Sequence, residues 1–169
     1  MNRTKWFERK FDFSLPVGVF PCVLERLRGT PARLEELARA VPPELLTERR
    51  EGKWSAQEHV GHLYDLDELH EGRLEDYAGG LETLPAPDLT NRKTEEARHN
   101  DARLEDLLAR FRDARASFVR RLESLTDEEV ARTALHPRLG VQMRVIDMAL
   151  FVAEHDDHHM ASITELSKA

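Results

Sequence analysis

The sequence is poor in the features that mark several classes of protein. It has one cysteine among 169 residues, so we expect neither an internal disulfide nor a thiolate metal cluster. No apolar run approaches the roughly 20 residues of a membrane-spanning helix, and the first residues lack the apolar core of a secretory signal. The net charge of −7 disfavours binding to nucleic-acid phosphates. We therefore expect a cytoplasmic protein without nucleic-acid or membrane partners.

Glycine and proline are also few, with 8 of each, and most fall between stretches of helical periodicity. No stretch alternates with the period of two that a half-buried strand requires, and residues 136–140 have the composition of a loop. We predict an arm lying on the body over 1–13. Helices are predicted over about 16–40, 56–77, 95–124, 126–131 and 144–166, and the first of them is expected to break near 29–31. This pattern predicts an all-α fold, an antiparallel four-helix bundle with long crossover connections, in a single domain over 1–169.

The last predicted helix carries His155 and His159, which are four residues apart. That spacing places two side chains on one helix face, so one helix can supply two imidazole ligands to a metal ion. His158, three residues after His155, is an alternative second ligand. Three imidazoles around a divalent cation leave a position open for substrate, which is typical of catalytic zinc sites.

A third imidazole has several candidate sources. The second predicted helix, which a capping box opens, carries His59, His62 and His70 close to its apolar stripe, and periodicity alone does not choose among them. The alternative is that these are hydrogen-bonded core histidines, each costing about 1–3 kcal/mol if left without a partner. A shared cation removes that cost. His99 and His136 fall near predicted loops or helix ends, where we expect surface or capping residues.

Carboxylates near these histidines have two candidate roles. Asp156 follows His155 at the place where a zinc protease keeps its glutamate, but aspartate is shorter and no third ligand follows downstream, which argues against protease chemistry. Glu58 and Asp65 lie about one turn either side of His62. Either could accept a hydrogen bond from a ligating imidazole and orient the ring.

Several motifs together resemble those of the DinB/YfiT-like superfamily of four-helix-bundle metalloproteins, and within it the YfiT-type bacillithiol transferases. In chain order they are Trp54-Ser55, His62-Leu63, His136-Pro137, and His155-x-x-x-His159 leading into Ile163-Thr-Glu-Leu166. The resemblance implies that His62 is the ligand from the second helix. It also implies that His155 and His159, rather than His158, complete the set.

The same resemblance implies a function. It suggests a divalent metal ion, nickel or zinc, and transfer of a low-molecular-weight thiol such as bacillithiol to an electrophile through a metal-bound thiolate. Near the predicted loops, Arg138 and Arg144, with Arg92 and Lys93, could pair with an anionic thiol, although they could equally be ordinary surface cations. Cys22 has no recognisable base partner and is not expected to be the nucleophile.

Two other functions remain open from the sequence. One is a metal-dependent hydrolase, in which the ion activates water. The other is a stress-associated metal-binding or dimerising protein without turnover. The partners expected from the sequence and the resemblance are a small-molecule thiol and an electrophile, and we allow for a homodimer.

Overall fold

Four long α-helices dominate the fold. A computed structural model of the protein describes residues 3–168. The long helices are α1 (Phe20–Arg39), α3 (Ala56–Ala78), α5 (Leu104–Glu123) and α7 (Val145–Leu166). The shorter elements of this range are α2 (Pro43–Leu46), α4 (Arg92–Glu96), α6 (Asp127–Val130), 3₁₀ turns at Trp6–Glu8, Val17–Val19 and His99–Asp101, and strands β1 (Thr133–His136) and β2 (Val141–Arg144). No helix within residues 3–168 is long and apolar enough to cross a membrane.

The four long helices form a closed bundle. Helix α1 packs against α5 and α7, and α3 packs against the same two helices. Each long helix therefore has two neighbours, and the chain must cross the end of the bundle twice, between α1 and α3 and again between α5 and α7. The predicted all-α four-helix bundle with long crossovers is confirmed.

A buried polar layer divides the bundle core into two apolar clusters. The larger cluster includes Leu27, Leu74, Phe118 and Val152, and the smaller one includes Leu34, Leu63, Phe111 and Ile163. Near the junction of its two clusters, each long helix carries buried polar residues. These include Thr30 on α1, His62, Asp67, His70 and Arg73 on α3, Arg115 on α5, and His155, Asp156 and His159 on α7.

The polar layer is joined by an ion-pair network. The Arg115 guanidinium is 1% exposed and lies 2.8 Å from Oδ1 of Asp67. It also donates to both oxygens of Asp156, with 3.1 Å to Oδ1. Thr30 Oγ1 donates to Asp156 Oδ2 over 3.1 Å, so all four long helices meet in this network. Because Asp156 follows His155 directly, the network also fixes the part of α7 that carries the histidine pair.

Local signals set the ends of α3. Ser55 Oγ accepts from the Glu58 backbone N–H at 3.1 Å, and the Glu58 carboxylate accepts from the Ser55 backbone N–H at 2.8 Å. This is the predicted capping box, which satisfies two of the amides that a helix N-terminus leaves free. The helix ends at Ala78, Gly79 follows as its C-cap, and Gly80 takes a positive φ of 71° that a β-carbon would disfavour.

Three features differ from the sequence predictions. The third long helix begins at Leu104 rather than near residue 95, because α4 and a 3₁₀ turn occupy the region before it. Helix α1 continues through Pro31 without a break. The predicted loop at 136–140 is the turn of an antiparallel hairpin in which Thr133 pairs with Arg144 and His136 with Val141. Strands of four residues are too short for alternation to be visible.

The N-terminal arm was predicted correctly over its described part. Trp6, Phe11 and Phe13 pack against the larger core cluster, with the Trp6 ring 5.0 Å from that of Phe151. Residues 1–2 of the predicted arm lie outside the described residues. The arm therefore brings an aromatic residue from the beginning of the chain to the middle of α7.

Candidate metal centre

Three histidine side chains from two helices converge in the polar layer. His62 comes from α3, and His155 and His159 come from successive turns of α7. One ligating atom of each lies within 4.8 Å of the others, and all three residues are buried. Nε2 of His155 and Nε2 of His159 are 3.0 Å apart. The three residues that the family resemblance selected are therefore brought together.

This spacing fits three nitrogen ligands of one ion. Two imidazole nitrogens at 2.0–2.1 Å from a tetrahedral zinc lie about 3.3 Å from each other. The observed 3.0 Å between the two α7 nitrogens is close to that value. The ligand atoms of all three histidines lie within 4.8 Å of one another, so a small inward shift of the rings would bring every pair to the spacing that a bound ion requires. With three nitrogen donors, a fourth position is left for another molecule.

The three imidazoles are held in the form that binds metals. Burial lowers the pKa of His62 to about 4. Burial, together with the charge of neighbouring histidines, lowers the pKa of His155 and His159 well below 6.5. All three rings are therefore neutral at neutral pH, and a neutral imidazole is the form that ligates a divalent ion.

Hydrogen bonds fix the orientation of His62. Its Nδ1 lies 3.0 Å from Thr94 Oγ1, and that hydroxyl donates to Asp65 Oδ2 over 2.8 Å. Because Thr94 gives its one proton to the carboxylate, it can only accept from His62, so the proton of the neutral ring is on Nδ1. The Nε2 lone pair is left free for a ligand. His99 Nε2 also contacts Asp65 Oδ2, at 2.8 Å.

The two carboxylates predicted to orient His62 have different positions. Asp65 is connected to His62 through the Thr94 hydroxyl. Glu58 instead caps α3 and pairs with Arg49, whose Nε lies 2.8 Å from Oε1. A side chain committed to the helix N-terminus cannot also turn towards His62, so Glu58 does not take the orienting role.

The other histidines surround the group. His59 Nδ1 lies 2.8 Å from His159 Nδ1, which orients the His159 ring from behind. His158 contacts Trp6, at 5.5 Å between ring centres, and Arg3, 2.9 Å from its Nδ1. His99 and His136 are both buried, so the expectation of surface or capping residues was wrong. His99 packs against Gly61 and Asp65 of α3, and His136 belongs to the hairpin that the sequence did not predict.

Two adjoining cavities open onto the histidines. The first has a volume of about 210 Å³, and its walls include the three histidines, Trp6, Trp54 and Phe151. The second has a volume of about 500 Å³ and extends towards Lys93. Both are lined by His62, Leu66, Leu69, Pro87, Asp88 and Asn91. The imidazole of His62 therefore lies where the two spaces meet.

The four candidate cations lie in different places. Arg138 lines the first cavity and Lys93 the second. Arg144 is outside both, because its guanidinium donates to Asp147 and to backbone carbonyls of the arm at 2.7–2.9 Å. Arg92 is exposed and is not part of either wall. Only Arg138 of the two main candidates therefore faces the histidines.

Sequence reasoning missed three residues of the site. Arg73 lines the first cavity, one turn after His70 on α3, although only 2% of it is exposed. The signal that could have revealed Arg73 is its position on the apolar stripe of the helix, where a charged side chain is buried beside the site. Thr94 and Trp6 come from α4 and the arm, and nothing in their local sequence marks them as neighbours of His62 or His155.

Comparison with known proteins identifies the family. A family model of the DinB superfamily matches residues 26–163, which include all three histidines of the group. The chain belongs to the DinB superfamily. No curated protein gives a significant match. The DinB family assignment confirms the resemblance drawn from Trp54, His62 and the His155 to His159 pair.

A solved structure agrees with the DinB fold. The chain is similar to YfiT from Bacillus subtilis, with 23% sequence identity, a TM-score of 0.80, and coverage of 95% of this chain and 92% of that one. YfiT is described as a probable metal-dependent hydrolase with an unusual four-helix bundle topology. At this identity the likeness shows that the two chains share a fold.

Proposed function

We propose that this DinB protein is a divalent-metal-dependent enzyme whose ion is held by His62, His155 and His159. The supporting observation is that three buried, neutral imidazoles from two helices converge within 4.8 Å beside an open cavity. Imidazole nitrogen is a suitable ligand for both nickel and zinc, and these are the ions we expect. Asp65, acting through Thr94, keeps the His62 lone pair directed at the group.

The reaction we propose is transfer of a low-molecular-weight thiol, such as bacillithiol, to an electrophile. A divalent cation lowers the pKa of a bound thiol or water molecule, and this activation is the chemistry that the ion supplies. Two cavities that meet at His62 provide separate space for a thiol and for a second substrate. The six residues shared by their walls would hold the two molecules next to each other.

The first cavity has few acidic side chains in its wall. Among its described residues Asp88 is the single carboxylate, and its oxygens accept from the backbone N–H groups of Thr90 and Arg92. A thiolate on the ion would need no carboxylate base, and the same holds for metal-bound hydroxide, so dependence on an added thiol is what distinguishes the two reactions.

Metal-dependent hydrolysis is the second candidate, favoured by the likeness to YfiT. The same three histidines and the same cavity would serve it. The two reactions differ in whether consumption of the electrophile depends on an added thiol, so one assay separates them.

The test is the loss of monobromobimane or an epoxide in the presence of metal-loaded protein and bacillithiol. Other thiols are compared at equal thiolate concentration, because thiolates also react with these electrophiles without an enzyme and this background must be subtracted. His155→Ala should abolish the rate above background, whereas Cys22→Ser should not change it, since Cys22 is exposed on α1. Ester hydrolysis without thiol would favour the hydrolase, and absence of any metal-dependent thiol reaction would contradict the transferase.

A further inference from the structure

Two arginines in the wall of the first cavity have no carboxylate partner among residues 3–168. Arg73 is 2% exposed, and its buried Nε has no hydrogen-bond partner within the described protein. Arg138 is half-buried on the hairpin turn, and one of its terminal nitrogens is buried and equally without a partner. Asp88 of the same wall accepts instead from the backbone N–H groups of Thr90 and Arg92. A guanidinium stays charged in proteins, so two positive charges without a hydrogen-bonded carboxylate lie next to the histidine group.

A third donor faces the same cavity. His136 is fully buried, and its Nδ1 accepts from the backbone N–H of Leu139 at 3.3 Å. Burial, followed by the charges of Arg73 and Arg138, lowers the pKa of His136 to about 4, so the ring is neutral at pH 7. A neutral ring that accepts at Nδ1 carries its proton on Nε2. That Nε2–H is buried without a partner in the described protein.

The surroundings of these donors are aromatic. The Arg138 guanidinium lies 5.2 Å from the Phe7 ring centre and 5.6 Å from that of Phe151, and the His136 ring is 5.4 Å from Phe151. Aromatic faces exclude water and strengthen a charge-assisted hydrogen bond formed beside them. Elsewhere in the core, Arg115 is paired with two aspartates, which makes the unpaired state of Arg73 the exception.

We infer that Arg73, Arg138 and His136 form a subsite for the carboxylate of an anionic substrate, placed beside the three-histidine group. Every polar group named is a donor, and two are permanent cations, so the complementary ligand is an acceptor-only anion. The planar guanidinium matches both a carboxylate and a phosphate, and the aromatic rings beside these donors favour the carboxylate, because it carries less charge to remove from water. This inference rests on the proposed function only in calling the ligand a substrate. The three donor residues are not metal ligands, so they can bind an anion whether or not a metal ion is present.

The test is binding of benzoate to the metal-free protein, measured by calorimetry at constant ionic strength. Benzamide, with the same shape and no charge, and inorganic phosphate are the comparison probes. We expect saturable benzoate binding and weaker binding of both comparison probes. Arg73→Gln and Arg138→Gln should each raise the Kd for benzoate about tenfold or more, whereas Arg110→Gln, on the exposed face of α5, should leave it unchanged.

Three further measurements keep the outcome clear. Arg73→Lys, which keeps the charge and loses the planar fork, should bind more weakly than wild type and more tightly than Arg73→Gln. If Arg73→Gln does not fold, Arg138→Gln on the hairpin turn carries the test. After reloading, both glutamine variants should hold as much metal as wild type, which separates this subsite from the metal centre.

The inference would be overturned by several results. These are equal binding of benzoate and benzamide, tighter binding of phosphate than of benzoate, no saturable binding of benzoate, or glutamine variants that bind benzoate like wild type. If the protein binds benzoate but cannot be loaded with a divalent metal, the subsite stands. The failure to bind metal would then refute the proposed metal enzyme alone.

Discussion

Replacing Arg115 by methionine should destabilise the bundle strongly. The side chain is 1% exposed and pairs with Asp67 and Asp156, whose side chains are also 1% exposed. Methionine has a similar length, so the change removes the charge without opening a large cavity. Two carboxylates would then remain buried without a counter-charge. Removing one partner of a buried ion pair costs about 3–5 kcal/mol, a large part of a typical unfolding free energy of about 5–15 kcal/mol.

The loss of stability should depend on pH. Burial already raises the pKa of Asp67 to about 6, although Arg115 opposes that rise. A carboxyl group with a raised pKa in the folded state stabilises it at low pH, and this contribution is lost as pH rises towards the folded pKa. Without Arg115 the pKa of Asp67 rises further, so the loss continues above pH 6, at up to about 1.4 kcal/mol per pH unit.

The assay is urea unfolding followed by circular dichroism at pH 5 and pH 8. We expect the Arg115→Met variant to lose more stability at pH 8 than at pH 5. Adding Asp67→Asn and Asp156→Asn to it should recover most of the loss, because no charge is then left buried. A loss below about 1 kcal/mol at pH 8 would refute the view that this network joins the four helices.

Three other predictions concern the site and its supports. Thr94→Val should weaken metal affinity about 10–100-fold while Thr94→Ser does not, as measured by competition with a chelator, because the valine cannot orient His62; equal affinities would contradict the relay. Gly61→Ala should cost about 1–3 kcal/mol in urea unfolding, because its Cβ would lie 2.2 Å from His99 Cγ, whereas Gly72→Ala on the same helix meets nothing within 4 Å and should not destabilise. Metal-free protein should lose stability as pH falls from 6.5 to about 4, because the unfolded chain binds protons that the buried rings of His59, His62 and His136 exclude, and these three outweigh Asp67, whose raised pKa acts in the opposite direction; a flat unfolding profile there would contradict this.

Much of the fold follows from short-range signals in the sequence. The Ser55 and Glu58 capping box acts within one turn, so it correctly predicted where α3 begins. The four-residue spacing of His155 and His159 places them on one face of any helix, and the pair is indeed on one side of α7. Local rules such as these do not depend on the rest of the chain.

The parts that were not predicted depend on contacts between distant segments. His136 is buried because it ends the first strand of a short hairpin and packs beside Phe151 of α7, and strands of four residues leave no periodic signal. His99 is buried against Gly61, a helix position with no β-carbon to block the approach. Periodicity could not choose between His59 and His62 either, because both lie close to the apolar stripe of α3. Only packing against α7 brings His62 into the group and leaves His59 against the far nitrogen of His159.

Metal content per chain tests the central claim most directly. Elemental analysis of purified protein should find about one divalent ion per chain, because three imidazoles supply one site. His62→Ala, His155→Ala and His159→Ala should each lose the ion. His59→Ala is the matched control and should retain it, since His59 contacts the group only through the far nitrogen of His159. Full metal in His62→Ala, together with loss in His59→Ala, would contradict the account.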